Sequence, residues 1–153
     1  MSNRTISRIL VPIDGSENSF RAASFAIDLA KRYGAELVTI NVLDLNQTLA
    51  QVAFYGLAFP NNIEEMMETA RKEAAPWFER IRKEAEGSAV KIQSEVIEAP
   101  VSVTGQIANY AEGHQIDVVV MGSRGRTGIK RLLLGSIASG VVTYAPCPVL
   151  VVR

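Results

Sequence analysis

The chain has 153 residues, of which 48% are hydrophobic, and its formal net charge is zero. Residues 1–153 therefore have the length and apolar content of one domain with a buried core, and the balanced charge gives no indication of a nucleic-acid or membrane-surface partner. Since there is one cysteine and one histidine, an internal disulfide and a cysteine- or histidine-rich metal site are excluded.

The first predicted unit is a strand, a turn and a helix. Arg8 to Ile13 forms an apolar run typical of a buried strand, and Pro12 should lie near its end because proline cannot donate to a sheet ladder. The composition of Asp14-Gly15-Ser16 predicts a turn that ends in a helix cap. The helix that follows should close at Gly34, and Glu36 to Leu43 is the second predicted strand.

The segment 44–61 breaks this pattern. It is predicted to be a long irregular connection that is too apolar for a free linker, and loops of this length are usually functional or cover something. A helix should resume near Asn62, which has capping-box spacing to Glu65, and run to about Glu86. Pro76 predicts a kink or a break within that helix.

The second half continues the alternation of strands and helices. The predicted strands are Lys91–Ile97, Ile116–Met121 and Val149–Val152, and the predicted helices are Val103–Gly113 and Ser136–Tyr144. Near-continuous apolar strands that alternate with helices predict a doubly wound α/β domain, a parallel sheet covered on both faces. Ligands bind such sheets at the carboxyl ends of strands, so Asp14, Val42 and Gly122 should converge on one crevice.

A glycine-rich segment follows the strand that ends at Met121. Its pattern is Gly122, two residues, Gly125, nine residues and then Gly135-Ser136. Glycines let a backbone approach an anion closely, and a helix N-terminus presents free N–H groups, so the pattern predicts a phosphate site. Ser136 is expected to cap the helix and to donate its hydroxyl to a phosphate oxygen. The basic residues around the loop are Arg124, Arg126, Lys130 and Arg131, of which the first two are the better candidates for phosphate contact and the others suit a solvated face.

The chain resembles the universal stress proteins over almost its whole length. The resemblance is carried by Ile9–Ser16, by Val118–Ser123 and by Cys147–Val152, and the glycine spacing matches the ATP-binding branch of that family. It implies a Rossmann-like, five-stranded parallel sheet in the order 3-2-1-4-5 with helices on both faces. It also implies a homodimer formed through the last strand, Val149–Val152.

The same resemblance implies a binding role for individual residues. The adenine and ribose end would be lined by Pro12, Asp14 and Val42. The ribose and phosphates would be wrapped by Met121, Gly122, Ser123, Arg124, Gly125, Arg126, Thr127 and Gly128. The phosphates would be held at the helix start by Gly135, Ser136, Ile137 and Ala138. The implied ligand is ATP, with Mg²⁺ or Mn²⁺ held mainly by water and phosphate oxygens, since no protein metal site is evident in the sequence.

Plainer roles compete for several of these residues. For Asp14 the plainer role is that of a turn or helix-cap residue. The alternative is a binding role, either as a hydrogen-bond partner of the ribose or base or as a residue near a metal. Val42 suits the plain core as well as adenine contact. Outside the site, the predictions are a buried structural thiol for Cys147, a surface position for His114, and core or interface packing for Trp77 and Phe78.

Three functions remain in competition. The leading one is an adenine-nucleotide-binding regulatory module of the stress response with little or no hydrolysis, because no GxxxxGK[ST] loop is present and Asp14 is the only carboxylate near the predicted site. The second is a slow ATPase or nucleotidyl-transfer enzyme, although SGGxDS-like and HIGH-like motifs are lacking. The third is a nucleotide-free dimeric scaffold with unknown protein partners. The first residues lack a secretory signal and no apolar run approaches roughly 18 residues, so a cytoplasmic protein is expected.

Overall fold

A five-stranded parallel sheet forms the centre of the structure, a computed structural model that describes residues 4–57, 62–125 and 133–153. The strands are β1 (Arg8–Pro12), β2 (Glu36–Asp44), β3 (Ile92–Ala99), β4 (Val118–Gly122) and β5 (Val149–Val152). The helices are α1 (Glu17–Tyr33), α2 (Leu45–Phe54), α3 (Ile63–Glu84), α4 (Val103–Gly113) and α5 (Ser136–Tyr144). The strand order is β3-β2-β1-β4-β5 and all pairs are parallel, which confirms the predicted doubly wound architecture.

Alternate residues of the central strands supply two separate cores. On one face, Ile9 and Val11 of β1 pack with residues of α1 and α3 such as Ile27 and Ile81. On the other face, Leu10 packs with residues of α4 and α5. Because successive side chains of a strand point to opposite faces, a continuous apolar strand is what such a doubly covered sheet requires.

Local capping signals determine where the helices begin and end. The Ser16 hydroxyl accepts a hydrogen bond from the backbone N–H of Ser19 (3.2 Å), and Gly34 ends α1 in the left-handed conformation with φ of 64°. The Asn62 side chain accepts from the backbone N–H of Glu65 (2.9 Å) at the start of α3. The caps expected at these positions are confirmed.

The prediction of an irregular connection over 44–61 is wrong for its first half, which forms α2. The Asp44 side chain caps this helix by accepting from the backbone N–H of Gln47 (3.0 Å). Leu45, Leu49 and Val52 do recur at helical spacing, so the sequence carried a helical signal that the prediction missed, although only Leu45 of the ten residues is buried. Residues 58–61 lie outside the described residues.

Of the kink or break predicted at Pro76, the break is absent. The helix α3 runs through Pro76 from Ile63 to Glu84. A proline inside a helix removes one backbone N–H, but Ala74 and Phe78 on either side of it are buried in the core. Tertiary packing therefore holds the helix together across the proline. None of the helices in the described ranges is both long and apolar enough to cross a membrane.

Candidate functional site

An open cleft of about 1250 Å³ lies at the carboxyl edge of the sheet. Its floor is formed where β1 and β4 end, which is the point at which the strand order reverses. Doubly wound sheets bind ligands at this switch point. The cleft is larger than the range of about 300–1,000 Å³ usual for small-molecule sites, so it has room for a ligand of nucleotide size.

The turn after β1 is fixed by hydrogen bonds from two directions. The backbone N–H of Ile13 donates to the carbonyl oxygen of Ile40 (2.7 Å), and the Asn41 side-chain amide donates to the carbonyl oxygen of Ile13 (2.7 Å). Asp14 Oδ1 accepts from the backbone N–H of Ser16 (2.9 Å). Asp14 therefore stabilises the turn, as its plainer role predicted, and it also lines the cleft.

The Trp77 side chain packs against this turn from α3. Gly15 has φ of +82°, and a Cβ built on it would lie 2.6 Å from the indole ring of Trp77. The helix α3 is also held near α1, since Arg80 binds the Glu17 carboxylate (3.1 Å) and lies 3.9 Å from the centre of the Phe20 ring. Trp77 was predicted to be a core or interface residue, and it is half-buried against the core while also lining the cleft.

The glycines at the end of β4 and just after it pack closely against the rest of the chain. A Cβ on Gly122 would lie 3.0 Å from the backbone of Asn18, and a Cβ on Gly125 would lie 2.7 Å from Asp14 Oδ2. The backbone N–H of the buried Ser123 donates to the carbonyl oxygen of Val152 (2.9 Å). The described part of the loop is thus positioned by α1, by the Asp14 turn and by β5.

The N-terminus of α5 opens into the cleft. Gly135 occupies the cap position, and its backbone N–H donates to the carbonyl oxygen of Ser123 (2.8 Å). The expectation that Ser136 caps the helix is wrong, because Ser136 is the first helical residue and no side chain caps α5 within the described residues. A helix start without a side-chain cap leaves backbone N–H groups for a ligand, and it favours an anion.

The structure brings the described candidates together in one place. The predicted residues that line the cleft are Pro12, Asp14, Val42, Met121, Gly122, Ser123, Arg124, Gly125, Gly135, Ser136, Ile137 and Ala138. Val42 serves both of the roles weighed for it, since it packs on a core and faces the cleft. Arg126, Thr127, Gly128, Lys130 and Arg131 lie outside the described residues.

Sequence reasoning missed a polar rim above this floor. The rim comes from one face of α2, from the first half of α3 and from the start of α4. Its polar members are Asp44, Gln47, Thr48, Gln51, Glu65, Thr69, Glu73, Ser102 and Thr104. The cap residue Asp44 and the helical spacing of Leu45, Leu49 and Val52 were local indications of α2, whereas the approach of α3 to the cleft depends on tertiary packing.

Charged side chains of both signs line the cleft. The half-buried Arg124 lies where α5 begins, with the Asp14 carboxylate close to the same loop, whereas the carboxylates of Asp44, Glu65 and Glu73 belong to the rim. A polyanion is therefore accommodated best beside α5. Within the described ranges, no three His, Cys, Asp or Glu side chains are grouped as a metal site.

Cys147 and His114, whose roles were predicted from the sequence, do not line the cleft. Burial raises the pKa of the Cys147 thiol, which keeps it protonated and unreactive at neutral pH and agrees with a structural role. The exposed His114 ring stacks on Tyr110 with centroids 3.8 Å apart. The surface position predicted for His114 is confirmed.

Comparison with known proteins identifies relatives over nearly the whole chain. The model of the universal stress protein family matches residues 5–153. A universal stress protein of Methanocaldococcus jannaschii is 38% identical over 146 residues, which cover 95% of this chain and 81% of the relative. A second universal stress protein, from Bacillus subtilis, is 33% identical over 149 residues, covering 96% of this chain and 99% of the relative.

Solved structures share the fold. A universal stress protein from Lactobacillus plantarum superimposes with a TM-score of 0.75 at 29% identity, covering 99% of this chain and 100% of that one. A universal stress protein in complex with cAMP gives a TM-score of 0.72 at 18% identity, with 98% and 99% of the two chains covered. A universal stress protein from Archaeoglobus fulgidus in complex with dAMP gives a TM-score of 0.65 at 20% identity, covering 98% of this chain and 100% of that one.

Proposed function

Because this chain belongs to the universal stress protein family, we propose that it binds an adenine nucleotide and acts as a regulatory module of the stress response with little or no hydrolysis. The observation that carries the proposal is the convergence of the Asp14 turn, the glycine loop and the uncapped start of α5 on one cleft. Members of the family hold cAMP and dAMP, which supports an adenine nucleotide as the ligand class.

ATP carrying Mg²⁺ or Mn²⁺ is the proposed form of the ligand. Its phosphates would bind the backbone N–H groups at the start of α5 and the Arg124 guanidinium, with Ser136 as a further donor. The carboxylate of Asp14 lies close to the glycine loop, so a divalent cation on the phosphates would offset its repulsion of a triphosphate. That cation would be held mainly by phosphate oxygens and water, since no protein metal cluster occurs among the described residues.

The side chains that line the cleft support nucleotide binding over rapid hydrolysis. Neither His nor Cys lines the cleft in the described part of the chain, and Asp14 accepts from the backbone of Ser16. The expectation that Asp14 is the only carboxylate near the site is wrong, because Asp44, Glu65 and Glu73 also line the cleft, but these three belong to the rim and not to the start of α5. We therefore expect phosphate release from ATP to stay well below about 1 per second, the lower end of common enzymatic turnover. Faster release would make the protein an ATPase instead.

Substitution of Ser136 tests the site. Ser136 is exposed at the first position of α5, where an acidic side chain is compatible with the helix. We expect Ser136→Glu to reduce ATP affinity at least tenfold by placing a carboxylate where the phosphates would bind. Ser136→Gln introduces a side chain of the same size as glutamate but without its charge, so it should reduce ATP affinity much less.

The tryptophan of the chain supplies the readout for that titration. Trp77 is the only tryptophan in the sequence and it lines the cleft, so its fluorescence should change when the cleft fills. Calorimetry with ATP, ADP, AMP and cAMP would rank the nucleotides independently. If ATP at millimolar concentration changes neither signal, or if both Ser136 variants bind equally well, the proposed site is wrong.

A homodimer formed through β5 is the proposed assembly. This strand lies at one edge of the sheet, and Val142, Tyr144 and Leu150 are large exposed apolar residues on it and on the preceding helix. An unpaired strand edge is a template for pairing with a second copy.

A further inference from the structure

The helix α1 carries an apolar stripe on the flank that points away from α3. Phe25, Leu29 and Tyr33 recur at a spacing of four residues, so they lie on one side of the helix. The opposite flank holds Phe20, whose ring is covered by the guanidinium of Arg80 from α3 at 3.9 Å. Phe25 is 47% exposed and Tyr33 is 49% exposed, and within the described ranges no element covers them. The stripe is therefore an open apolar surface.

This flank of α1 faces the open edge of the sheet. Asn18, two helical turns before Phe25, lies on the same flank and packs against Gly122 at the end of β4. Leu29 borders the same core as Val152 of β5, and α1 packs on both β4 and β5. Since β5 is the edge strand next to β4, the stripe stands on the β5 side of the molecule and not on the β3 side.

The edge of β5 is too short to hold two copies together by itself. Its four residues extend about 13 Å, whereas a stable interface buries about 800 Å² on each partner. The elements next to β5 on the two faces of the sheet must therefore contribute to a dimer. Val142 and Tyr144 expose apolar surface at α5 on one face, and the stripe of α1 is the counterpart on the other face.

Phe25 and Leu150 of β5 form one continuous surface. Gly122 is paired with Val152 and packs against Asn18, which places these three residues at one level of the sheet. From that level Phe25 is seven residues along α1, about 10 Å, and Leu150 is two residues back along β5, about 7 Å. Leu150 is exposed, and it points to the face of α1 because it lies two residues from Val152, which belongs to the core beneath α1.

We propose that the stripe of α1 packs against the stripe of a second copy of this chain, an inference that rests on the homodimer of the proposed function. A two-fold dimer uses the same patch on both copies, so β5 and the stripe of α1 each meet their own counterpart. A helix above β4 lies roughly 7 Å from an axis at the outer edge of β5, so the two helices would be about 14 Å apart. Helices in direct contact are about 8–10 Å apart, so a large side chain such as Phe25 is needed from each copy to fill the space.

The test compares two exposed phenylalanines. Phe25→Ala removes the largest side chain of the stripe. Phe54→Ala removes an 81% exposed phenylalanine at the end of α2, which follows β2 and lies away from β5. Alanine favours a helix, so both variants should keep the fold, which circular dichroism verifies. Sedimentation equilibrium over a concentration series gives the Kd of the dimer for the wild type and for each variant.

We expect Phe25→Ala to raise the Kd of the dimer at least tenfold, because buried aromatic anchors dominate such interfaces, and Phe54→Ala to leave it unchanged. If the wild type is a dimer and Phe25→Ala does not change its Kd, the role of α1 is wrong and the dimer through β5 stands. An equal rise of the Kd in both variants would overturn the role of α1 as well. If the wild type is a monomer at tens of micromolar, the proposed homodimer fails and this inference with it.

Discussion

The glycine loop shows how single residues serve both packing and the proposed ligand. Gly122 approaches the backbone of Asn18 in α1, whereas Gly125 approaches the terminal oxygen of the Asp14 side chain. A backbone neighbour cannot move away, but a carboxylate can rotate. The two glycines of one motif therefore have different physical reasons for lacking a Cβ.

Alanine substitutions should separate these two reasons. We expect Gly122→Ala to lower the free energy of unfolding by about 1–3 kcal/mol, because its Cβ overpacks against the start of α1. Gly125→Ala should change stability by less than about 1 kcal/mol but weaken ATP binding, because it displaces the Asp14 carboxylate. Urea unfolding and ATP titration of both variants check this. Equal losses of stability would contradict the distinction.

A second residue-scale prediction concerns Gly15 and Trp77. Gly15 and Gly87 both have positive φ, +82° and +77°, but only Gly15 has a neighbour where a Cβ would stand. Gly87→Ala should therefore cost about 1–2 kcal/mol for the left-handed backbone alone. Gly15→Ala should lower the free energy of unfolding by more than Gly87→Ala does. This difference between the two variants should shrink when Trp77 is replaced by Leu. Urea midpoints of the two single variants, the Trp77→Leu variant and the double variant measure this coupling. An excess that persists without the indole ring would place the strain elsewhere.

Among the secondary-structure elements, those that pack on the sheet could be predicted and the one on the rim was missed. The strands and core-packed helices have apolar periodicity and caps such as Gly34 and Asn62. The helix α2 buries only Leu45 and borders the cleft, so it was read as an irregular connection although Leu45, Leu49 and Val52 have helical spacing. The candidate site divides in the same way, because β1 and β4 carry local motifs whereas Trp77 reaches the cleft through tertiary packing.

The attachment of α4 to β3 predicts a loss of stability in alkali. The Tyr110 hydroxyl donates to Glu95, and burial together with this carboxylate raises the pKa of Tyr110. The folded protein thus holds the phenolic proton more tightly than the unfolded chain. The resulting stability is complete below the ordinary pKa of about 10 and is lost as the pH rises above it.

Tyr110→Phe isolates this contribution. At pH 7 the variant should be less stable than the wild type by about 1 kcal/mol, because the hydrogen bond to Glu95 is lost. Above pH 10 the difference should shrink, since the variant has no phenol to ionise at this position. Urea unfolding at pH 7 and pH 11 checks this, with Tyr33→Phe as a control at an exposed tyrosine. A difference that stays constant or widens in alkali would disprove the link.

On the scale of the whole molecule, the two edges of the sheet differ in how well they resist pairing. The edge strand β3 carries Glu95 and Glu98, and such charges discourage another strand from pairing there. The edge strand β5 has the sequence VLVV without any charge. Carbonyl oxygens of Pro148 and Val152 accept from Val119 of β4 and from Ser123 just after it, so the backbone groups of Val149 and Val151 point to the open edge.

A charge introduced on β5 should therefore produce a monomer. In a two-fold dimer each copy uses the same patch, so Leu150→Lys places two like charges at one interface and opposes pairing from both sides. Sedimentation at tens of micromolar should show a dimer for the wild type and a monomer for Leu150→Lys. Gln93→Lys puts the same charge at an exposed position on the opposite edge and should leave the dimer intact. A monomeric wild type, or equal effects of both lysines, would exclude β5 as the dimer contact.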